Sequence, residues 1–159
     1  MLNVEHRSIV DMDFRTLIYA AREGDLETVR ACVEANIQQE ADEQGYTALY
    51  WAACGEDMEM VNLLLEQSTV YLNHLTGSMR WTPLTGAVTI GNVEVAKLLL
   101  DHGAEHLPDR NGASPLYLAA ENGDYRMCKL LLQYGATYTP KRNGKTPLHG
   151  VSESSSRYY

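Results

Sequence analysis

Cysteine and histidine are the side chains of this 159-residue chain best suited to act as nucleophiles, bases or metal ligands. A nucleophilic thiol requires a general base beside it. Cys54 has no histidine near it in sequence, and Cys32 and Cys128 fall in apolar stripes, where a thiol acts as a small hydrophobic side chain. We therefore expect a non-catalytic protein. Three cysteines without a Cys-x-x-Cys pair favour reduced thiols in an intracellular protein, cytoplasmic or nuclear.

Two short motifs match ligand-binding patterns only in part. His102 and His106 have a spacing that suits metal ligands, but Gly103 lies between them at a predicted helix end, so they need not share a face. Gly144-Lys145-Thr146 matches the end of a phosphate-binding loop, yet Thr139 stands where that loop requires a glycine. The sequence therefore predicts no bound metal and no cofactor.

Charge is distributed unevenly along the chain. Thirteen basic and twenty-one acidic residues give a net charge of −8, and residues 1 to 66 alone carry −10. Because contacts with phosphates supply much of the affinity for nucleic acids, this charge disfavours nucleic acid as a partner, and anionic membranes likewise. No apolar run is long enough to cross a bilayer, and charged residues interrupt the start of the chain where a secretory signal would be apolar. The acidic half is either a set of solvated helix faces or a surface for a basic partner.

The elements that would position any functional residue recur with a fixed period. A leucine opens each of five similar segments, at intervals of 32, 35, 32 and 32 residues: Leu17, Leu49, Leu84, Leu116 and Leu148. A hydroxyl residue followed by proline precedes the last three of these leucines, which is typical of a helix start. Seven residues after a leucine, Gly24, Gly91 and Gly123 predict a chain reversal, and a second apolar helix follows. Each segment is thus predicted to be helix, turn, helix and loop.

The recurring pattern Thr-Pro-Leu-x-x-Ala-Ala, then Gly, then Val-x-x-Leu-Leu, then Gly-Ala resembles the ankyrin repeat. The resemblance implies an all-α solenoid of stacked antiparallel helix pairs with projecting hairpin loops. We assign repeats to residues 10–41, 42–76, 77–108 and 109–140, with a partial repeat at 141–152. The ankyrin repeat domain would thus span residues 10–152, between an N-terminal tail at 1–9 and a polar C-terminal tail at 153–159.

Three local features depart from the repeat pattern. Gly55-Glu56 replaces the expected glycine of the second repeat, which predicts a turn shifted by one residue. The loop between Leu65 and Leu84 is three residues longer than its counterpart in the next repeat, either as a contact element or as a tolerated insertion. Arg80 replaces a loop glycine, which indicates local remodelling of that hairpin.

Family resemblance places partner contacts at the loop tips and along the inner side of each first helix. Phe14, Tyr46 and Trp81 occupy matched positions, and a column of exposed aromatic side chains would anchor a partner well. Alternatively, these rings pack loop against loop and only stabilise neighbouring repeats. The other candidate binding residues are Met12, Glu43, Gln44, Met79, Arg110 and Asn111 at the loops, and Glu23, Ile90, Glu121 and Asn122 on the helices.

Trp51 has a different register from these aromatics. It lies two residues after its leucine, as do Tyr19, Gly86 and Leu118. We expect Trp51 to be a core residue, packed between first helices against the space left by Gly86.

Together these features predict a monomeric protein-interaction module that binds a basic or mixed-charge partner protein. Two more specific roles stay open: an inhibitor like the ankyrin-type inhibitors of cyclin-dependent kinases, and a substrate-recognition subunit of a ubiquitin ligase. A purely structural spacer is a further alternative, which an exposed aromatic face would argue against.

Overall fold

The computed structural model describes residues 12–137 and Gly144, and over these residues it contains eight helices arranged as four successive pairs. No named strand occurs in this part of the chain, where the β-type pairing is an isolated bridge between Thr76 and Trp81. The predicted all-α stack of helix pairs is therefore confirmed. The helices are α1 (Phe14–Glu23), α2 (Leu26–Glu34), α3 (Ala48–Cys54), α4 (Met58–Gln67), α5 (Pro83–Ile90), α6 (Val93–Asp101), α7 (Pro115–Glu121) and α8 (Tyr125–Gln133).

Predictions for both tails and for most of the partial fifth repeat, including Thr146, Pro147 and Leu148, lie outside the described residues. None of the described helices combines the length and the apolar character needed to cross a bilayer.

Hydroxyl residues begin the first helix of the second, third and fourth pairs. The side-chain oxygens of Thr47, Thr82 and Ser114 each accept a hydrogen bond from the backbone N–H three residues later. Pro83 and Pro115 follow in the first turn, where a missing N–H leaves no helical hydrogen bond unmade. The helix starts predicted at Thr82-Pro83 and Ser114-Pro115 are therefore confirmed.

The first pair begins differently, because Arg15 stands where the later repeats have their capping hydroxyl. Asp13 caps α1 instead, and its carboxylate accepts hydrogen bonds from the N–H and the hydroxyl of Thr16. The helix consequently starts at Phe14. Phe14 therefore lies in the first turn of α1 and not at a loop tip, which corrects the sequence interpretation.

The turns between paired helices follow the glycine pattern. Gly24 and Gly91 end α1 and α5 in the left-handed conformation, with φ of 74° and 77°. In the second pair, α3 ends at Cys54 and Gly55 is extended, with φ of −87°. α3 ends five residues after its leucine, one residue earlier than α1 and α5 but at the same offset as α7, and α4 begins at the same offset as the other second helices. The turn therefore differs in the conformation of Gly55, and the predicted shift by one residue is wrong.

The period-defining leucines form the centre of one continuous core. Leu17, Leu49, Leu84 and Leu116 are almost fully buried, and residues of the second helices pack behind them. Cys32 is buried in this core and Cys128 is half-buried against it, in agreement with their predicted apolar roles. The main helix contacts join the two helices of a pair or corresponding helices of adjacent pairs.

Hydrogen-bonded hairpin loops connect one helix pair to the next. In the second and fourth repeats, Asp42 and Asp109 accept two backbone N–H groups of their own hairpin. In the third repeat, Thr76 and Trp81 exchange backbone hydrogen bonds of 2.7 and 3.1 Å instead. This hairpin is remodelled as predicted, although Arg80 keeps a left-handed conformation, with φ of 58°.

Candidate partner-binding groove

An open groove of about 720 Å³ lies between α1 and the hairpin that precedes α3. We call it the α1 groove. Four of its lining residues are aromatic, two are arginines and two are acidic. The lining consists of Phe14, Arg15, Ile18, Tyr19, Arg22, Ala41, Asp42, Glu43, Gln44, Tyr46 and Trp51.

Packed aromatic rings form one end of the α1 groove. The centroid of the Tyr46 ring lies 5.1 Å from that of Trp51 and 5.5 Å from that of Tyr50. Tyr50 meets Trp51 edge to face at 5.4 Å. Burial raises the pKa of the Tyr50 phenol, and the neighbouring Cys54 raises it further, so this hydroxyl stays protonated. Such ring pairs add about 0.5–1.5 kcal/mol each beyond the area they bury, which makes the wall rigid.

Trp51 does not occupy the core position predicted for it. Its side chain is half-buried, lines the α1 groove and faces the Arg22 guanidinium of the preceding repeat at 5.2 Å. Gly86 lies instead against Cys54 and Tyr50, which are 2.7 and 3.5 Å from the place where its Cβ would be. The position two residues after the leucine faces back toward the previous repeat, so Trp51 packs toward α1 and cannot fill the space at Gly86.

Two arginines of α1 lie over aromatic rings of the groove. The Arg15 guanidinium is 5.7 Å from the centre of the Phe14 ring, and the Arg22 guanidinium lies over Trp51. Within the described part of the chain, neither guanidinium belongs to an ion pair. Both side chains are exposed and retain N–H groups for an external acceptor.

Acidic residues of the hairpin form the opposite wall. One carboxylate oxygen of Asp42 accepts the N–H groups of Gln44 and Tyr46, each at 2.9 Å. Asp42 therefore fixes the backbone that carries the Tyr46 ring. Glu43 is exposed at the hairpin tip. The groove as a whole presents charges of both signs around an aromatic surface.

Of the predicted aromatic column, the structure brings two members together. Phe14 and Tyr46 line the α1 groove along with Glu43 and Gln44, whereas Trp81 lies outside that lining. Tyr46 also packs against the next hairpin, since a Cβ on Gly77 would approach its hydroxyl to 2.7 Å.

The remaining loop candidates have structural contacts. Trp81 is half-buried, with its ring N–H enclosed and lacking an acceptor among the described residues. The Arg110 N–H donates to the Met79 carbonyl at 2.9 Å and so links two hairpins. Asn111 donates its backbone N–H to Asp109, and Met12 packs against the core, with its sulfur 3.9 Å from that of Cys32.

Helix candidates lie at the ends of the first helices, away from the α1 groove. Glu23 is exposed at the end of α1, Glu121 is half-buried at the end of α7, and Asn122 caps that helix. Ile90 is 48% exposed and lines a smaller cavity of about 440 Å³ with Cys54 and other residues.

Several residues of the α1 groove are absent from the binding residues that the sequence predicts. Trp51 and Tyr19 share one register, two residues after the leucine, and that register was assigned to the core. Tyr19 is in fact 59% exposed. Arg15 is not predicted as a groove residue because the other repeats have a helix-capping hydroxyl at its position. The absence of that hydroxyl in the first repeat is the sequence feature that could have identified it.

The thiols and imidazoles have no arrangement for catalysis in the described part of the chain. Burial raises the pKa values of Cys32, Cys54 and Cys128, so the thiol form predominates. His102 and His106 hydrogen-bond to different carbonyl groups, of Leu98 and Tyr134. Over the described residues, no group of three His, Cys, Asp or Glu side chains is placed to hold a metal ion.

Comparison with known families agrees with this architecture. The family model for ankyrin repeats matches residues 4–76, 69–143 and 105–157. The chain therefore belongs to the ankyrin-repeat family, a non-catalytic interaction fold, and it is a protein-interaction module.

Known relatives resemble the chain over part of their length. It is 34% identical over 93 residues to Serine/threonine-protein kinase 12 of Arabidopsis thaliana, which covers 57% of this chain and 19% of that protein. It is 31% identical over 104 residues to Palmitoyltransferase ZDHHC13 of Mus musculus, which covers 64% of this chain and 17% of that protein. It is 33% identical over 89 residues to RelA-associated inhibitor of Mus musculus, which covers 55% of this chain and 11% of that protein. The chain thus spans less than a fifth of each of these relatives.

Proposed function

We propose that the α1 groove binds a segment of a partner protein and that the stacked repeats act as its rigid support. The observation that carries this proposal is the groove itself, where Phe14, Tyr19, Tyr46 and Trp51 converge from two successive repeats. Its volume of about 720 Å³ falls within the range of clefts that hold a drug-sized ligand.

The groove has the composition of a binding hot spot. Tyrosine, tryptophan and arginine dominate such sites because they offer large contact areas. Here the rings already contact one another, and Asp42 fixes the hairpin backbone. Little conformational entropy is therefore lost when a partner binds, which favours affinity.

The charge distribution of the chain favours a partner that carries both positive and negative side chains. The strongly acidic first 66 residues would steer a positively charged surface toward this end of the molecule. The groove adds two arginines that would meet negative groups at close range. The protein acts as a monomer inside the cell, cytoplasmic or nuclear, where its three reduced cysteines would stay unpaired.

A second candidate is inhibition by occlusion of a partner's active or binding surface. The similarity to RelA-associated inhibitor, whose name describes an inhibitor, favours an inhibitory role over a substrate-recognition role. A spacer is the weakest alternative, because it gives no reason for exposed aromatic side chains in a groove.

Two exposed tyrosines provide a direct test of the binding site. Tyr19 is 59% exposed and lines the groove, whereas Tyr125 is 76% exposed at the start of α8. Neither Tyr19→Ala nor Tyr125→Ala should alter the melting temperature much. A partner is first captured from native cells, and its affinity for each variant is then measured with purified components. We expect Tyr19→Ala to reduce the binding free energy by about 2 kcal/mol and Tyr125→Ala to leave it unchanged. Equal affinities for both variants would reject the groove as the binding site.

A further inference from the structure

The spacing of the two arginines in the α1 groove suits a ligand with two hydrogen-bond acceptors a fixed distance apart. Arg15 and Arg22 are seven residues apart on α1, which is close to two helical turns, so they lie on one face about 10 Å apart. Both line the groove, and both are exposed.

Among the cationic side chains of the described residues, Arg15 and Arg22 are distinguished by the aromatic rings that they contact. Arg30, Lys97 and Arg126 each form an ion pair with a carboxylate of this chain. Arg15 and Arg22 form none among the described residues and are held instead over aromatic rings. Arg80, Arg110 and Lys129 also form no ion pair in this part of the chain. A guanidinium stacked on a ring keeps the N–H groups at its edge available for a carboxylate.

Nearby carboxylates are already engaged in local structure. Asp13 attracts Arg15 electrostatically, but it caps α1 through two hydrogen bonds with Thr16. Asp42 holds two N–H groups of its hairpin across the groove. Glu43, the other acidic residue of the groove lining, is exposed at the hairpin tip. Among the described residues, none of these carboxylates forms an ion pair with a groove arginine.

We propose that Arg15 and Arg22 bind two acidic side chains of an extended partner segment whose apolar residues contact the aromatic wall. This inference rests on the proposed function of the α1 groove. A polyproline-type segment rises about 3.1 Å per residue with three residues per turn, so side chains three residues apart share a face about 9 Å apart. That spacing matches the arginine pair and specifies an acidic-x-x-acidic motif.

The motif reconciles an acidic protein with an acidic ligand. At −8, the whole chain repels a uniformly negative partner, but salt largely screens this repulsion at distances beyond about 8–10 Å under physiological conditions. Two bidentate contacts inside the groove then act at short range. The ligand is therefore a short acidic and apolar segment within a partner of mixed charge.

Selection from random 12-residue peptides displayed on phage tests this chemistry without knowledge of the partner. We expect the complete 159-residue chain to enrich peptides that carry Asp or Glu three residues apart beside apolar residues. The most enriched peptide is then synthesised with a fluorophore, and its affinity is measured by anisotropy against purified variants.

Two double variants with the same loss of charge provide the comparison. Arg15→Gln/Arg22→Gln should weaken binding of the peptide at least about tenfold, because it removes both charged donors from the proposed contacts; tenfold corresponds to about 1.4 kcal/mol. Arg126→Gln/Lys129→Gln removes two exposed charges from α8 and should change affinity less than about twofold.

Each outcome separates this inference from the proposed function. Peptides that are neutral or basic, yet lose binding in Tyr19→Ala, would overturn the acidic motif and leave the groove as the binding site. Acidic peptides weakened equally by both double variants would show a nonspecific charge effect and overturn the inference. A selection without any peptide that depends on Tyr19 would count against both.

Discussion

Packing between α3 and α5 depends on the absence of a side chain at Gly86. A Cβ at this position would lie 2.7 Å from the Cys54 sulfur and 3.5 Å from a ring carbon of Tyr50. Tyr50 is 5% exposed and has little room to move. We therefore predict that Gly86→Ala forces the Cys54 side chain out of its position, while Trp51 is unaffected.

The expected energies follow from two opposing effects. Overpacking of a tight contact costs about 1–3 kcal/mol. Alanine in place of glycine inside a helix contributes about 1 kcal/mol in the other direction. Gly86→Ala should therefore lower the free energy of unfolding by up to about 2 kcal/mol. In a Cys54→Ala background, where the sulfur is absent, Gly86→Ala should raise the free energy of unfolding by up to about 1 kcal/mol, because only the gain in helix propensity remains.

Urea denaturation of the two single variants and the double variant measures this coupling. We expect Cys54 and Gly86 to be coupled by about 1–3 kcal/mol. The matched cycle with Trp51→Ala and Gly86→Ala should show a weaker coupling, because Trp51 reaches Gly86 only through their shared neighbour Tyr50. Additive Cys54 and Gly86 energies, or a strong coupling of Gly86 to Trp51, would refute the assigned register.

The hairpin and the first helix cap provide two further predictions. Arg80 adopts a left-handed conformation, with φ of 58°, so Arg80→Gly should stabilise the protein by about 1 kcal/mol and raise its melting temperature by about 3 °C. Arg110→Gly, at a neighbouring exposed position, should give no increase in a thermal melt. Hydrogen bonds from Thr16 lower the pKa of Asp13 below its usual 3.8, so its ionised cap stabilises the fold above that pH and is lost as the pH falls below it. Denaturant titrations at pH 5 and pH 3 measure this effect. Between these two pH values wild type should lose more unfolding free energy than Asp13→Asn, because the amide caps α1 without titrating. Equal losses in the two proteins would contradict this prediction.

The local elements were predictable because their chemistry repeats in the sequence. Thr82 before Pro83 specifies a helix start by a cap and a fixed φ, and Gly91 specifies the turn that follows. The loop-tip position predicted for Phe14 is wrong, because Arg15 cannot cap a helix and Asp13 caps α1 one residue before Phe14.

The groove was only partly predictable because periodicity identifies equivalent positions but not the neighbour that each one contacts. Trp51 and Gly86 are equivalent, so each faces the repeat before it and they cannot face each other. Tyr46 was correctly placed in the hairpin, but its ring contacts with Tyr50 and Trp51 depend on how the hairpin folds back. That direction is a property of three-dimensional stacking.

Contacts restricted to neighbouring repeats also determine how this molecule tolerates damage. The α1 groove is built from α1, α3 and the hairpin between them, whereas α7 and α8 touch mainly each other and the third repeat. Fraying or proteolytic trimming from the far end would therefore erode the array one repeat at a time, as expected for quasi-linear stacks. The α1 groove would outlast the loss of the fourth repeat, so a chain shortened at that end would keep the proposed binding site.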